Sequence, residues 1–113
     1  MNKYTELSDF EINKKVAENL KLNTTAYERT EIVLFDDMDA TPFDPCSNPT
    51  DAMPIIIENK IGMNFYNNEL GWGAYHRCEE FGELEIHDKS YYRAAMICFL
   101  IMKDAENENN NNG

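Results

Sequence analysis

Apolar residues recur every four positions near the start of the chain and predict an amphipathic helix from Asp9 to Leu20. This spacing puts the side chains on one face of a helix. The apolar stripe consists of Ile12, Val16 and Leu20. Ser8 and Glu11 have the spacing of a capping box, in which each side chain satisfies a backbone N–H of the other residue. Polar residues of this helix, Asn13 among them, are expected to face solvent.

After this helix the pattern changes to a short strand and then to an acidic loop. Asn23 to Thr25 is expected to end the helix, and Glu31 to Phe35 is rich in β-branched residues, which predicts a strand. From Asp36 to Asp51 the chain holds five acids, three prolines and no Lys or Arg. Because prolines at this density resist both helix and sheet, we expect an irregular loop there.

The segment after the loop has two competing interpretations. Asn48 before Pro49 is typical of a helix cap with proline at the first helical position. A proline in a helix interior removes a hydrogen bond, so we expect one turn up to Met53 and a separate short helix from Pro54 to Lys60. The three isoleucines at 55–57 also fit a buried strand, because a short apolar run does not distinguish the two.

Three short segments separated by turn residues predict an antiparallel meander. They are Gly62 to Tyr66, Trp72 to Cys78 and Glu83 to His87. Ser90 to Lys103 is apolar around nearly its whole circumference, which predicts the most buried helix. The polar, Asn-rich tail 104–113 is expected to be disordered.

Together these elements predict one α+β domain over residues 1–103. We expect a small antiparallel sheet of three or four strands, packed against the N-terminal and C-terminal helices, with a short middle helix. A chain of 113 residues with 42% apolar residues suffices for one core. The start of the chain lacks the apolar region of a signal peptide, and the longest apolar run, Ala94 to Met102, is too short to span a membrane. Three cysteines without a CxxC pair indicate reduced thiols.

The formal net charge is −11, from 10 Lys and Arg against 21 Asp and Glu. This charge repels nucleic-acid phosphates and anionic lipids, so we expect neither nucleic acid nor membrane as a direct partner. Five acids lie in 36–51, five in 78–88 and three in the tail. This concentration favours a basic protein as the partner, bound by the first two blocks. The candidate contact residues are Asp36, Asp37, Asp39, Asp44, Glu79, Glu80, Glu83 and Glu85.

Metal-ligand residue types occur close together only between positions 76 and 87. On a strand, His76 and Cys78 point to one face, and His87 can approach across a hairpin. The spacing matches no standard zinc motif, and ordinary packing in a sheet is the competing interpretation. We therefore expect no cofactor, with a small metal-binding protein or enzyme using these three residues as an alternative.

Motifs of nucleophilic or nucleotide chemistry do not occur in this sequence. Cys46 lies in the acidic loop, where neighbouring carboxylates raise the pKa of a thiol and disfavour the reactive thiolate. Cys98 lies in the apolar C-terminal helix and is expected to be inert. These observations predict a protein that is not an enzyme.

Three segments together resemble the NinX-like family of small proteins from P22- and lambda-type phages of enteric bacteria. They are Leu7 to Ala17 with its Val-Ala pair, Asn48 to Ile57 with Asn-Pro-Thr-Asp and Pro-Ile-Ile, and Tyr92 to Cys98 with Ala-Ala-Met. The resemblance implies a phage accessory protein in the cytoplasm of the bacterial host and implies no particular reaction.

The leading functional hypothesis is therefore a non-enzymatic phage accessory protein that binds a host or phage protein. A sharper form is that its acids imitate DNA phosphates and block a host nucleic-acid-binding or defence protein. The chain is expected to be a monomer or a homodimer. A structural homodimer that buries Trp72, Tyr91 or Tyr92 between copies is a further alternative.

Overall fold

The computed structural model describes residues 3–78 and 82–112, with positions 78 and 109–112 described by their backbone only. The elements of this part of the chain are α1 (Asp9–Asn19), β1 (Thr24–Tyr27), β2 (Ile32–Phe35), α2 (Pro49–Glu58), β3 (Gly62–Asn67), β4 (Gly71–Cys78), β5 (Gly82–Asp88) and α3 (Tyr91–Asn112). The strands form two antiparallel sheets, a β1–β2 hairpin and a meander in the order β3–β4–β5. The predicted α+β fold class is confirmed.

The first helix, α1, begins where the capping box predicts. The backbone N–H of Glu11 donates to Oγ of Ser8 at 3.2 Å, which satisfies one of the N–H groups that a helix start leaves unpaired. Ile12 and Val16 are fully buried. The helix of the sequence prediction is confirmed, one residue shorter at its C-terminal end.

The β1–β2 hairpin was only half predicted. The strand expected at 31–35 is present as β2, but it pairs with Thr24–Tyr27, with Thr25 opposite Leu34, and not with the meander. Residues 24 and 25 were expected only to end the helix. The overlooked signal is the run of Thr, Thr and Tyr, residues that favour strands, in an element of four residues that alternates between half-buried and exposed positions.

The middle segment forms one helix, α2, so the predicted break at Pro54 is wrong and the strand alternative is wrong as well. Oδ1 of Asn48 accepts from the backbone N–H of Thr50 at 3.0 Å, and Pro49 stands at the first helical position. Pro54 lies in the second turn, where its missing N–H removes only the bond to the carbonyl of Thr50. Beyond it, Ile55 and Ile56 are buried and hold the helix against the core.

The last helix, α3, is the central layer of the fold. The three-stranded sheet packs on one part of its surface, and both α1 and α2 pack elsewhere on it. Every residue from Ala94 to Leu100 is buried, and the sheet contributes the buried side chains of Ala74 and Ile86. The prediction that this is the most buried helix is therefore confirmed.

The end predicted for the last helix at Lys103 is wrong, because α3 continues to Asn112. Two contacts hold the turn after Lys103: the hydroxyl of Tyr4 donates to Asp104, and Nζ of Lys103 lies 3.2 Å from Oε2 of Glu106. The division of the chain at residue 103 and the disorder of the tail stay predictions, and Gly113 lies outside the described residues.

Arg93 ties the start of the chain to α3 and β5. Its guanidinium lies 2.7 Å from Oδ1 of Asp9 and 3.1 Å from Oδ2 of Asp88. Nη2 also donates to the carbonyl oxygens of Leu7 and Thr5, at 2.6 and 3.1 Å. The side chain is only 14% exposed, so these four acceptors replace the water that the guanidinium loses on folding.

Candidate functional site

The first acidic block uses several of its carboxylates to hold its own shape. Oδ1 of Asp36 accepts from the hydroxyl of Thr25 at 2.6 Å. Oδ1 of Asp37 accepts from the backbone N–H groups of Asp39 and Ala40, at 3.0 and 2.8 Å. Asp39 is exposed. Of these three predicted contact residues, two therefore stabilise the turn that presents the third.

Asp44 fastens the acidic loop to α1 through a buried amide. Nδ2 of Asn13 donates to Oδ1 of Asp44 at 2.7 Å, and Oδ1 of Asn13 accepts from the backbone N–H of Cys46 at 3.0 Å. Asn13 is 6% exposed, so its predicted position on the solvent side is wrong. The amide is satisfied on both ends by groups of the loop, which offsets the cost of burying it.

Glu83 and Glu85 of the second block lie on the outward face of the meander. Glu83 pairs across the strands with Arg77, whose Nη2 is 3.6 Å from Oε2 of Glu83. Glu85 accepts from the hydroxyl of Tyr66 and lies 4.0 Å from Nε2 of His87. The remaining two predicted contact residues, at positions 79 and 80, lie outside the described residues.

The two blocks therefore belong to different layers. The first extends from the hairpin that packs on α1, and Glu83 and Glu85 lie on the sheet face opposite the one that packs on α3. Imitation of a DNA backbone requires carboxylates along one extended surface. The mimicry hypothesis stays a prediction.

The register of the meander separates the two histidines of the candidate metal site. His76 pairs with Leu84, whereas His87 pairs with Gly73. Positions 73 and 76 differ by an odd number, so the two histidines point to opposite faces of the sheet. The expectation that His87 approaches the face of His76 is therefore wrong. Within residues 3–78 and 82–112, no group of three His, Cys, Asp or Glu has the geometry to hold a metal ion.

The two histidines have separate surroundings. Nδ1 of His76 lies 3.3 Å from the carbonyl oxygen of Lys60. The ring of His87 stands edge-on to Tyr66, with centroids 4.5 Å apart, and the Tyr66 ring in turn covers Gly73 so closely that a Cβ at that position would collide with it. The side chain of Cys78, the third candidate ligand, is not among those described.

The thiols of Cys46 and Cys98 are buried and free. Burial raises the pKa of the Cys98 thiol to about 12. Burial is also the main cause that raises the pKa of Cys46, and the charge of Asp9 adds to it. The predicted direction for Cys46 is confirmed, but burial matters more than the carboxylates of the loop. Neither environment favours a reactive thiolate.

These pKa shifts predict a loss of stability at high pH. A thiol of the unfolded chain ionises near pH 9, whereas folding holds Cys98 protonated up to about pH 12. The contribution of the protonated Cys98 thiol to the free energy of unfolding is therefore complete below pH 9 and is lost as the pH rises towards 12. We expect the free energy of unfolding of the native chain to fall more steeply than that of Cys98→Ala, by up to about 1.4 kcal/mol per pH unit. Urea denaturation of both proteins from pH 7 to 11 measures the difference, and parallel curves would contradict it.

A cleft of about 470 Å³ lies between the start of α1 and the β1–β2 hairpin with its following loop. Its lining combines carboxylates with apolar side chains. The carboxylates are those of Asp9, Glu31 and Asp44, and the apolar members include Phe10, Ile32 and Phe43. Ile32 is 42% exposed, whereas Phe10 and Phe43 are buried. The cleft therefore has an apolar base and an acidic rim.

The charge of the cleft is negative. Asp9 is neutralised by Arg93 at 2.7 Å, but within the described residues the carboxylate of Glu31 has no ion-pair partner, and no Lys or Arg lines the cleft. Asp44 was a predicted contact residue. Asp9 and Glu31 were missed, because they lie far from Asp44 in sequence and only the packing of the hairpin on α1 brings the three together.

The fold and this site define a small α+β protein with an acidic cleft. A family model described as "Bacteriophage P22, NinX" matches residues 3–103, and the chain belongs to that family. The resemblance seen in the sequence is thereby confirmed. No curated protein and no solved structure matches the chain. Among the described residues, no helix has the length and apolar character needed to cross a membrane.

Proposed function

We propose that this phage protein acts by binding a host or phage protein, without catalysing a reaction, in the cytoplasm of the bacterial host. We propose further that the acidic cleft holds a Lys or Arg side chain of that partner. The observation that carries the proposal is the cleft itself, whose apolar base and carboxylate rim match the aliphatic stem and the charged head of such a side chain.

Glu31 distinguishes the cleft from the acids that the protein already uses in its own contacts. Asp36 and Asp37 already accept hydrogen bonds within their own loop, and Glu85 accepts one from Tyr66. Glu31 is exposed and has no ion-pair partner in the described part of the chain. A cationic side chain of the partner that binds Glu31 therefore displaces no existing contact of that residue. The positive charge of the partner is also attracted by the negative charge of the whole chain.

Charge reversal at the cleft tests the proposal. We expect Glu31→Lys to weaken binding of the partner at least about tenfold, because it places like charges together. Glu58→Lys is the matched control: the same change of charge at an exposed position at the end of α2. The measurement is retention of proteins from phage-infected host lysate on immobilised native, Glu31→Lys and Glu58→Lys chains, followed by titration of the protein retained.

The salt dependence and the two variants separate the possible results. A partner that binds the native chain and Glu58→Lys, and that is released by Glu31→Lys and by added salt, supports the cleft. Equal weakening by both variants would show that only net charge matters and would contradict the cleft. No retained protein even at low salt would contradict protein binding altogether. If the protein retained is a host nucleic-acid-binding or defence protein, the proposed function is to antagonise it.

A further inference from the structure

The two edges of the three-stranded sheet differ in charge. β3 and β5 are the outer strands. β5 carries three acids within Gly82–Asp88, whereas residues 61–68, which include all of β3, carry no charged side chain. Charged side chains on an edge strand prevent pairing with another chain. By that criterion the β5 edge is protected and the β3 edge is not.

Exposed apolar side chains lie on the same strand and in the turn after it. Phe65 is 52% exposed and Tyr66 44%, and Leu70 in the turn is 45% exposed. Phe65 stacks edge-on with Trp72 at 5.2 Å, and Trp72 stacks with Tyr91 at 4.9 Å. The half-buried aromatic rings at 72 and 91 are thus covered by neighbours, and the exposed apolar surface of this row lies at Phe65. Aromatic side chains without charge are typical of interface centres.

We propose that the β3 edge, beside the exposed ring of Phe65, pairs with the β3 edge of a second copy of this chain. A register shift between Phe65 and Asn67 ends the regular edge, so Gly62 to Phe65 is the stretch that pairs. Across a two-fold axis the two strands run antiparallel and join the sheets into one of six strands.

Charge decides the occupant. Each copy carries −11, so two copies repel one another wherever acids meet, and only an uncharged surface lets them approach. The uncharged stretch 61–68 meets its own equivalent in a two-fold pair, with no like charges opposite each other. The basic partner proposed for the cleft has no carboxylate to recognise along this stretch. The β3 edge therefore selects a second copy, independently of the cleft.

Sedimentation velocity of the full chain tests the dimer. We expect a species of twice 13.1 kDa to grow as concentration rises from about 1 µM to about 500 µM, a range that covers micromolar affinities. Added salt screens the repulsion between the copies and should strengthen the dimer. Salt should weaken binding of a basic partner at the cleft. The dimer and the cleft complex therefore respond to salt in opposite directions, and either proposal can be contradicted without the other.

Variants locate the interface. Asn64→Glu puts two like charges close together across the axis and should raise the dimer Kd at least about tenfold. Met38→Glu is the control of equal charge, at a fully exposed residue of the acidic loop. Phe65→Glu is a second interface variant, and thermal unfolding checks that each variant is folded. A sample that mixes isotope-labelled and unlabelled chains should show nuclear Overhauser contacts between the two β3 strands.

Three results of these experiments would contradict the proposed dimer. A chain that stays at 13.1 kDa over the whole concentration range forms no dimer. A dimer that Asn64→Glu leaves intact, or that Met38→Glu weakens equally, does not use this edge. Capture of a different protein by the β3 edge of a monomeric chain would assign the surface to another partner.

Discussion

Replacing Arg93 with alanine should lower the free energy of unfolding by about 3 kcal/mol, because two partly buried acceptors, Asp88 and the carbonyl of Leu7, lose their donor. The guanidinium bonds two carboxylates and two backbone carbonyls while only 14% exposed. Among them, Asp88 is the more deeply placed carboxylate, at 22% exposure against 51% for Asp9. Urea denaturation followed by circular dichroism at pH 7 measures the loss.

Two comparisons show whether geometry or charge is responsible. Arg77→Ala removes an arginine that is 81% exposed beside Glu83, and it should cost less than about 0.5 kcal/mol. Arg93→Lys keeps the charge but offers a single ammonium in place of a planar fork, so we expect it to lose most of the stability that alanine loses. An Arg93→Lys protein as stable as the native chain would contradict the role given to the four acceptors.

Replacing Phe99 with alanine should cost about 4 kcal/mol, the largest effect that we expect of a single core residue. Phe99 is fully buried in the helix that contacts the sheet, α1 and α2. The substitution therefore opens a cavity inside the close-packed core, which the surroundings can close only in part. A loss of this size is a large part of the stability of a small domain.

Thermal and urea unfolding of Phe99→Ala test this prediction, with Ile57→Ala as the control. Ile57 is 64% exposed on α2, and its replacement should change the free energy of unfolding by less than about 0.5 kcal/mol. Phe99→Leu keeps most of the volume and should recover more than half of the loss. Equal, small effects of Phe99→Ala and Ile57→Ala would show that α3 is not the centre of the core.

Periodicity was sufficient to predict the elements whose burial follows a regular pattern. α1 follows from its apolar stripe and its Ser8 cap, and the meander follows from three short segments separated by turn residues. Gly71, in the first of these turns, has φ +78, a backbone conformation that glycine adopts more readily than other residues. Caps, turns and apolar stripes can be predicted from a single sequence because the residues that cause them are neighbours in the chain.

The remaining features depend on contacts between distant residues. Asn13 is buried because the acidic loop folds over it, and no pattern within α1 indicates a partner 31 residues away. The opposite faces of His76 and His87 follow from a register that composition does not specify. Pro54 remains helical because Ile55 and Ile56 hold the helix against the core. In each case tertiary packing decides against the local pattern.

The position of α3 has a consequence for synthesis of the chain. The helix on which the sheet, α1 and α2 pack follows those elements in the chain, so it leaves the ribosome after them. Arg93 joins it to Asp9, Leu7 and Thr5, which lie between 84 and 88 positions earlier in the chain. The N-terminal helix and the hairpin therefore lack most of their core until α3 has been synthesised, and the domain folds only after that point. A ribosome that stalls before residue 90 releases a chain whose apolar faces stay uncovered, which makes it a substrate for host chaperones and proteases.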